Sequence, residues 1–186
     1  MGVDPNALLP RSRVEEAARA FSNGDPDAAR QIVRRVAPAA VRSVSSRVLS
    51  DADLRAAVLD LTAIPLPLFT PRSQAAGTPP ELAALEAQLR AAPRWVICAP
   101  EYNGSIPPVL TSAIAWLSVQ GNDFRSLFNG RPVAIATQSG GGGHTVLAAL
   151  RLQLAHLGAH VVGRQVLGTA ANPAKDESIA DLIHRL

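Results

Sequence analysis

The apolar residues Trp95-Val96-Ile97-Cys98-Ala99 run directly into Pro100-Glu101-Tyr102-Asn103-Gly104-Ser105-Ile106-Pro107-Pro108. An apolar run of this length, closed by a proline and a polar Tyr-Asn-Gly turn, predicts a buried strand emptying into a loop. Ser105 is placed to cap the helix that follows. Pro107 and Pro108 suit that helix's first turn, where N–H groups lack intrahelical partners. The prediction is a rigid loop at the carboxyl end of a strand, beside a helix N-terminus, where open α/β sheets bind ligands. Asn103-Gly104 alone is also a common turn, so the residues leave a plain turn and a ligand loop both open.

The signals on either side alternate. Residues 55–61 read as a short strand ended by Pro65 and Pro67. Residues 80–91 read as a helix with Leu82, Leu85 and Leu89 at i, i+3 and i+7. Residues 95–99 form the strand already described, and 107–119 a helix with Leu110, Ile114 and Leu117 on one face, ended by Gly121 and Asn122. A further apolar strand at 132–136 leads into Ser139-Gly140-Gly141-Gly142-Gly143. A helix over 145–157 follows, with Leu147, Leu150, Leu154 and Leu157 on one face and Gly158 as its C-terminal cap. A strand at 161–167 and a short helix at 178–186 close the chain. Strands alternating with helices of about a dozen residues imply a parallel sheet with right-handed crossovers.

The first part is different. Residues 14–21 and 28–49 look mostly helical, broken by Asn23-Gly24-Asp25-Pro26 and by Pro38, and no apolar run there resembles a buried first strand. Five arginines (Arg30, Arg34, Arg35, Arg42 and Arg47) lie between Ala28 and Ser50 with no acid among them. They suit a solvated helix face better than a nucleic-acid patch, because only 4% of residues are aromatic and stacking platforms are scarce. The organisation expected is an atypical N-terminal segment, 1–50, followed by an α/β domain, 51–186.

Composition narrows the classes further. With 186 residues and 47% hydrophobic content, one domain with a substantial core is expected. The single cysteine, Cys98, lies inside an apolar run, so a disulfide framework and a thiolate metal cluster are both excluded and a buried structural thiol is expected. The histidines show no metal-ligand spacing. No stretch is long and apolar enough to span a bilayer, and Met1-Gly2-Val3-Asp4-Pro5-Asn6 lacks the features of a signal peptide, so a cytoplasmic location is expected.

Residues 58–167 resemble the NADPH-dependent FMN reductase family of flavodoxin-like proteins. That family carries a Pro-Glu-Tyr-Asn-Gly-Ser-x-Pro loop after its third strand, kept here at 100–107, and a helix ending near Trp-Leu, kept as Trp116-Leu117. Leu59-Asp60-Leu61 followed by Pro65-Leu66-Pro67-Leu68-Phe69, and the glycine turn at 139–143, also match in order. The resemblance implies an α/β three-layer sandwich with a parallel sheet of order 2-1-3-4-5 and FMN at the strand carboxyl ends. It implies that Pro100, Glu101, Tyr102, Asn103, Gly104 and Ser105 contact the flavin, and that Ser139, Gly140, Gly141 and Gly142 border its pyrimidine side. Glycine suits both places because backbone can approach a ring edge with no Cβ in the way.

The family's phosphate turn, Gly-Ser-x-Arg-x-x-Ser after the first strand, is not found. Its nearest remnants, Ser43, Ser45, Ser46 and Arg47, lie in a helical stripe without glycine. The first strand is therefore expected to be missing or divergent. A shifted reading frame and a genuine N-terminal extension both account for this, and the gene's DNA distinguishes them. The implied activity is hydride transfer from NADPH through FMN to a quinone, azo compound, metal oxyanion or free flavin. The implied assembly is a homo-oligomer, dimer or tetramer, built on the helix carrying Trp116, where a buried subunit contact and a core position are both open. The other class kept open is a non-catalytic binding or assembly protein of the same fold.

Overall fold

In the computed structural model, residues 58–140 and 142–186 are described. Among the described residues, three parallel strands form a sheet: β1, Trp95–Cys98; β2, Pro132–Ser139; and β3, His160–Thr169, in the order β1-β2-β3. The helices are α1, Pro71–Ala75; α2, Pro80–Ala91; α3, Pro108–Ser118; α4, His144–His156; and α5, Asp176–His184. Trp95 lies opposite Val133 and Cys98 opposite Ala136, while Pro132 lies opposite His160 and Ser139 opposite Thr169. Val133, Ala134, Ile135, Ala136 and Thr137 are all buried in succession. Since side chains alternate between faces, unbroken burial means that both faces of β2 are covered, as in a parallel sheet flanked by helices.

The core forms where the helical stripes meet this sheet. Leu82 and Leu85 of α2, Leu110, Ile114 and Leu117 of α3, and Leu147, Leu150 and Leu154 of α4 join Val133 and Ile135 in one cluster. The predicted stripes are therefore the buried faces. Helix α4 stops in a Schellman cap. Gly158 takes φ +86°, its N–H donates to Ala155 O at 3.0 Å, and the Ala159 N–H donates to Leu154 O at 3.0 Å. The β2–β3 register slips between Val133 and Ile135, and Arg151 of α4 donates to the carbonyls of Val161 and Gly163 at that irregularity, each at 3.4 Å.

Three expectations need correction. Residues 58–61 do not form the end of a strand; the chain enters a 3-10 turn at Leu61–Ala63. Asp60 Oδ1 accepts from the Thr62 N–H at 2.9 Å and turns the backbone, while Pro65 and Pro67 have no N–H to give to a ladder. The remaining predicted strand residues, 55–57, and the segment 1–50 lie outside the described residues. Strand β2 continues past Ala136 to Ser139, because Thr137, Gln138 and Ser139 pair with Leu167, Gly168 and Thr169 although they are polar. Helix α1 was not expected; Thr70 and Ser73 close a capping box around Pro71 at its first position.

Trp116 is a core residue, 1% exposed. Its indole Nε1 donates to Pro67 O at 2.8 Å, and its ring meets Phe69 edge-on at 5.1 Å. Ser112 Oγ accepts from the Phe69 N–H at 2.8 Å, so two side chains of α3 pin the proline-rich segment.

Cys98 is half-buried on β1 rather than fully buried. Burial pushes its pKa from 9.0 up to about 12. The folded protein thus holds its proton more tightly than the unfolded chain. The resulting stability is complete below pH 9.0 and is lost as pH rises toward about 12. Iodoacetamide at pH 8 should alkylate the native protein roughly tenfold or more slowly than the urea-unfolded chain.

Candidate functional site

Two loops leave the carboxyl ends of adjacent parallel strands. Past β1, the Ala99 N–H still donates to Ala136 O at 3.1 Å, so the first loop departs beside the last residues of β2. Within it, Tyr102 and Ser105 exchange backbone hydrogen bonds, Tyr102 N–H to Ser105 O at 3.0 Å and Ser105 N–H to Tyr102 O at 2.9 Å. Asn103 and Gly104 between them have φ +50° and +71°. Asn-Gly is the pair that adopts two successive left-handed residues most readily, so the sequence dictates this tight turn.

The turn projects into solvent. Pro100, Tyr102, Asn103, Gly104 and Ser105 are exposed, and only Glu101 is half-buried. Among the described residues, no partner engages the backbone N–H of Asn103 or Gly104. Ser105 does not cap α3, contrary to expectation: Pro107 is the N-cap residue, with no side-chain cap. Ser105 lies two residues before that position, where its backbone closes the turn. The imino nitrogens of Pro107 and Pro108 also reduce the number of N–H groups to be capped.

The second loop follows Ser139, which is buried at the end of β2. Gly140 and Gly142 are exposed, and a Cβ on either would meet nothing within 4 Å. Gly141 lies outside the described residues. Gly143, which sequence reasoning assigned no role, is the N-cap residue of α4 at φ +75°. A Cβ there would stand 2.9 Å from Thr137 Cγ2 and 3.2 Å from Ser139 Cβ. Beneath this glycine turn, Thr137 is 1% exposed and its Oγ1 has no partner among the described residues.

One side chain joins the two loops. Glu101 Oε2 accepts the Val146 N–H, in the first turn of α4, at 3.2 Å. That turn holds no acid of its own. The carboxylate therefore meets the partial positive charge of the helix N-terminus from outside the helix.

The model of the NADPH-dependent FMN reductase family matches residues 22–172. The chain belongs to this family. An NAD(P)H-dependent FMN reductase of Pseudomonas aeruginosa is 34% identical over 114 residues, a match covering 60% of this chain and 60% of that protein's length. Two solved structures share the fold. The flavoenzyme NAD(P)H:(acceptor) oxidoreductase FerB from Paracoccus denitrificans superposes with TM-score 0.58 at 21% identity, over 75% of this chain and 79% of that one. An oxidoreductase from Corynebacterium diphtheriae gives 0.56 at 18% identity, over 98% and 88%. The fold is α/β and flavodoxin-like, and β1-β2-β3 run in the order that the 3-4-5 portion of such a sheet requires.

The ring-binding half of an FMN reductase site fits what these residues offer. The unengaged N–H groups of the Asn103-Gly104 turn and the orphaned buried Thr137 hydroxyl are donors without acceptors, and Gly140 and Gly142 leave open space. A phosphate grip is not among them. Helices α1, α2 and α3 begin on proline, and the N–H of Val146 in α4 is already taken by a carboxylate that repels a second anion. The described residues also hold no group of three or more His, Cys, Asp or Glu able to bind a metal ion, and none of their helices is long and apolar enough to cross a membrane.

Proposed function

We propose that this protein is an NAD(P)H-dependent FMN oxidoreductase, with the isoalloxazine ring held between residues 100–105 and 139–142. The observation that carries this reading is the pair of unengaged N–H groups on the Asn103-Gly104 turn, facing solvent at the carboxyl end of β1 beside the glycine turn of β2. Asn103 and Gly104 donate to the ring's polar edge, Tyr102 walls the pocket, and Gly140, Gly141 and Gly142 let backbone lie against the ring. When bound, FMN would supply the redox chemistry between NADPH and a quinone, azo compound, metal oxyanion or free flavin. The chain's own part is positioning and exclusion of water, with no side chain acting as acid, base or nucleophile.

Residues 51–186 are the flavodoxin-like domain of this proposal, and 1–50 an atypical N-terminal segment. A cytoplasmic homo-oligomer acting on small molecules, without nucleic-acid or membrane partners, completes the proposal. FMN titration of the purified full chain, followed by quenching of tryptophan and flavin fluorescence, tests it. Saturable binding at micromolar FMN or tighter is expected. No quenching at any concentration would assign the chain to the non-catalytic reading instead.

A further inference from the structure

We infer that Glu101 is a positioning residue whose carboxylate fixes the spacing between the strand-end turn and the glycine turn by capping α4. The need for this arises at Gly143. Ser, Thr, Asp and Asn are the usual N-caps because a side-chain oxygen can accept an N–H of the first turn. At residue 143 none of them fits, since φ is +75° and any Cβ would press within 3.4 Å of Thr137, Ser139 and Leu167. The helix therefore has no cap of its own, and no acid in its first turn. Its N-terminal N–H groups require an acceptor from elsewhere.

Glu101 supplies one from 45 residues away, accepting the Val146 N–H at 3.2 Å. Glu101 also adjoins the turn closed by the reciprocal Tyr102–Ser105 bonds, with Asn103 and Gly104 locked at positive φ. The reciprocal bonds tie the two ends of that turn together. A single contact at its base therefore sets where its free N–H groups lie relative to Gly140 and Gly142. The carboxylate does no chemistry on a substrate; it acts through the two loops.

This inference rests on the proposed flavin site, and the experiment separates the two. In the FMN-free protein, hydrogen exchange of the Val146 amide is measured for the parent, E101A, E101D and E101Q. The E101A and E101D variants lose the acceptor or its reach, and exchange should quicken about tenfold or more, while E101Q keeps the acceptor oxygen and stays within about threefold of the parent. FMN affinity should follow the same order, weaker by about tenfold in E101A and restored in E101Q. Unchanged exchange in E101A and E101D overturns the clamp. Quickened exchange with unchanged FMN affinity overturns its role in spacing the loops. Absence of FMN binding by the parent refutes the proposed function, and with it the spacing role, while the exchange series still decides the cap. If E101A does not fold, the contrast between E101D and E101Q decides.

Discussion

Replacing Trp116 by alanine should lower the free energy of unfolding by about 3–5 kcal/mol, the range for truncating a large buried aromatic. The residue is 1% exposed, its Nε1 donates to Pro67 O at 2.8 Å, and its ring lies edge-on to Phe69. Alanine removes all three contributions at once and leaves the Pro67 carbonyl without its donor. Urea unfolding followed by far-UV circular dichroism measures the loss. Trp116→Phe keeps most of the apolar volume and loses the hydrogen bond, so a smaller loss of about 1–2 kcal/mol is expected. A W116A midpoint equal to the parent's would contradict the core position and return this side chain to a subunit surface.

Gly143→Ala should be the most damaging single change at the site. A non-glycine residue at left-handed φ costs about 1–3 kcal/mol. Here φ is +75°, and the added methyl group would also meet Thr137 Cγ2 at 2.9 Å. Thr137 cannot turn aside easily, since it is β-branched and 1% exposed within β2. The expected loss is about 2–3 kcal/mol of stability, together with weakened FMN binding as the glycine turn shifts. Gly140→Ala is the control. Its φ is not positive and its Cβ would meet nothing within 4 Å, so its stability should stay within about 0.5 kcal/mol of the parent's. Equal stabilities for the two variants would contradict the geometry drawn for the turn.

Much of the domain was legible because its signals are local. Helix α2 occupies Pro80–Ala91 as its leucine spacing required, and α4 differs from expectation by one residue at each end, because Gly143 and Gly158 punctuate it. The Asn103-Gly104 turn could be read from composition alone, since few other pairs accept two positive φ values in succession. What escaped the sequence depends on distant partners. Thr137, Gln138 and Ser139 are too polar to announce a strand, yet the neighbouring strand gives them a ladder. Residues 58–61 were apolar enough for a strand, yet the Asp60 carboxylate turned them. Trp116 could have faced a second subunit until Pro67 and Phe69 were seen against it. The Glu101 contact with Val146 joins positions whose association no spacing rule predicts. Helix α1 is legible in the sequence as well, since Thr70-Pro71-Arg72-Ser73 carries its own start signal.

The central claim is that FMN bound at these two loops is reduced by NADPH. The most direct measurement adds NADPH anaerobically to the FMN-loaded full chain while the visible flavin absorption is followed. Bleaching of the band in proportion to the NADPH added, and recovery when a quinone acceptor is admitted, is the predicted result. A bound flavin whose absorption excess NADPH leaves unchanged would contradict it.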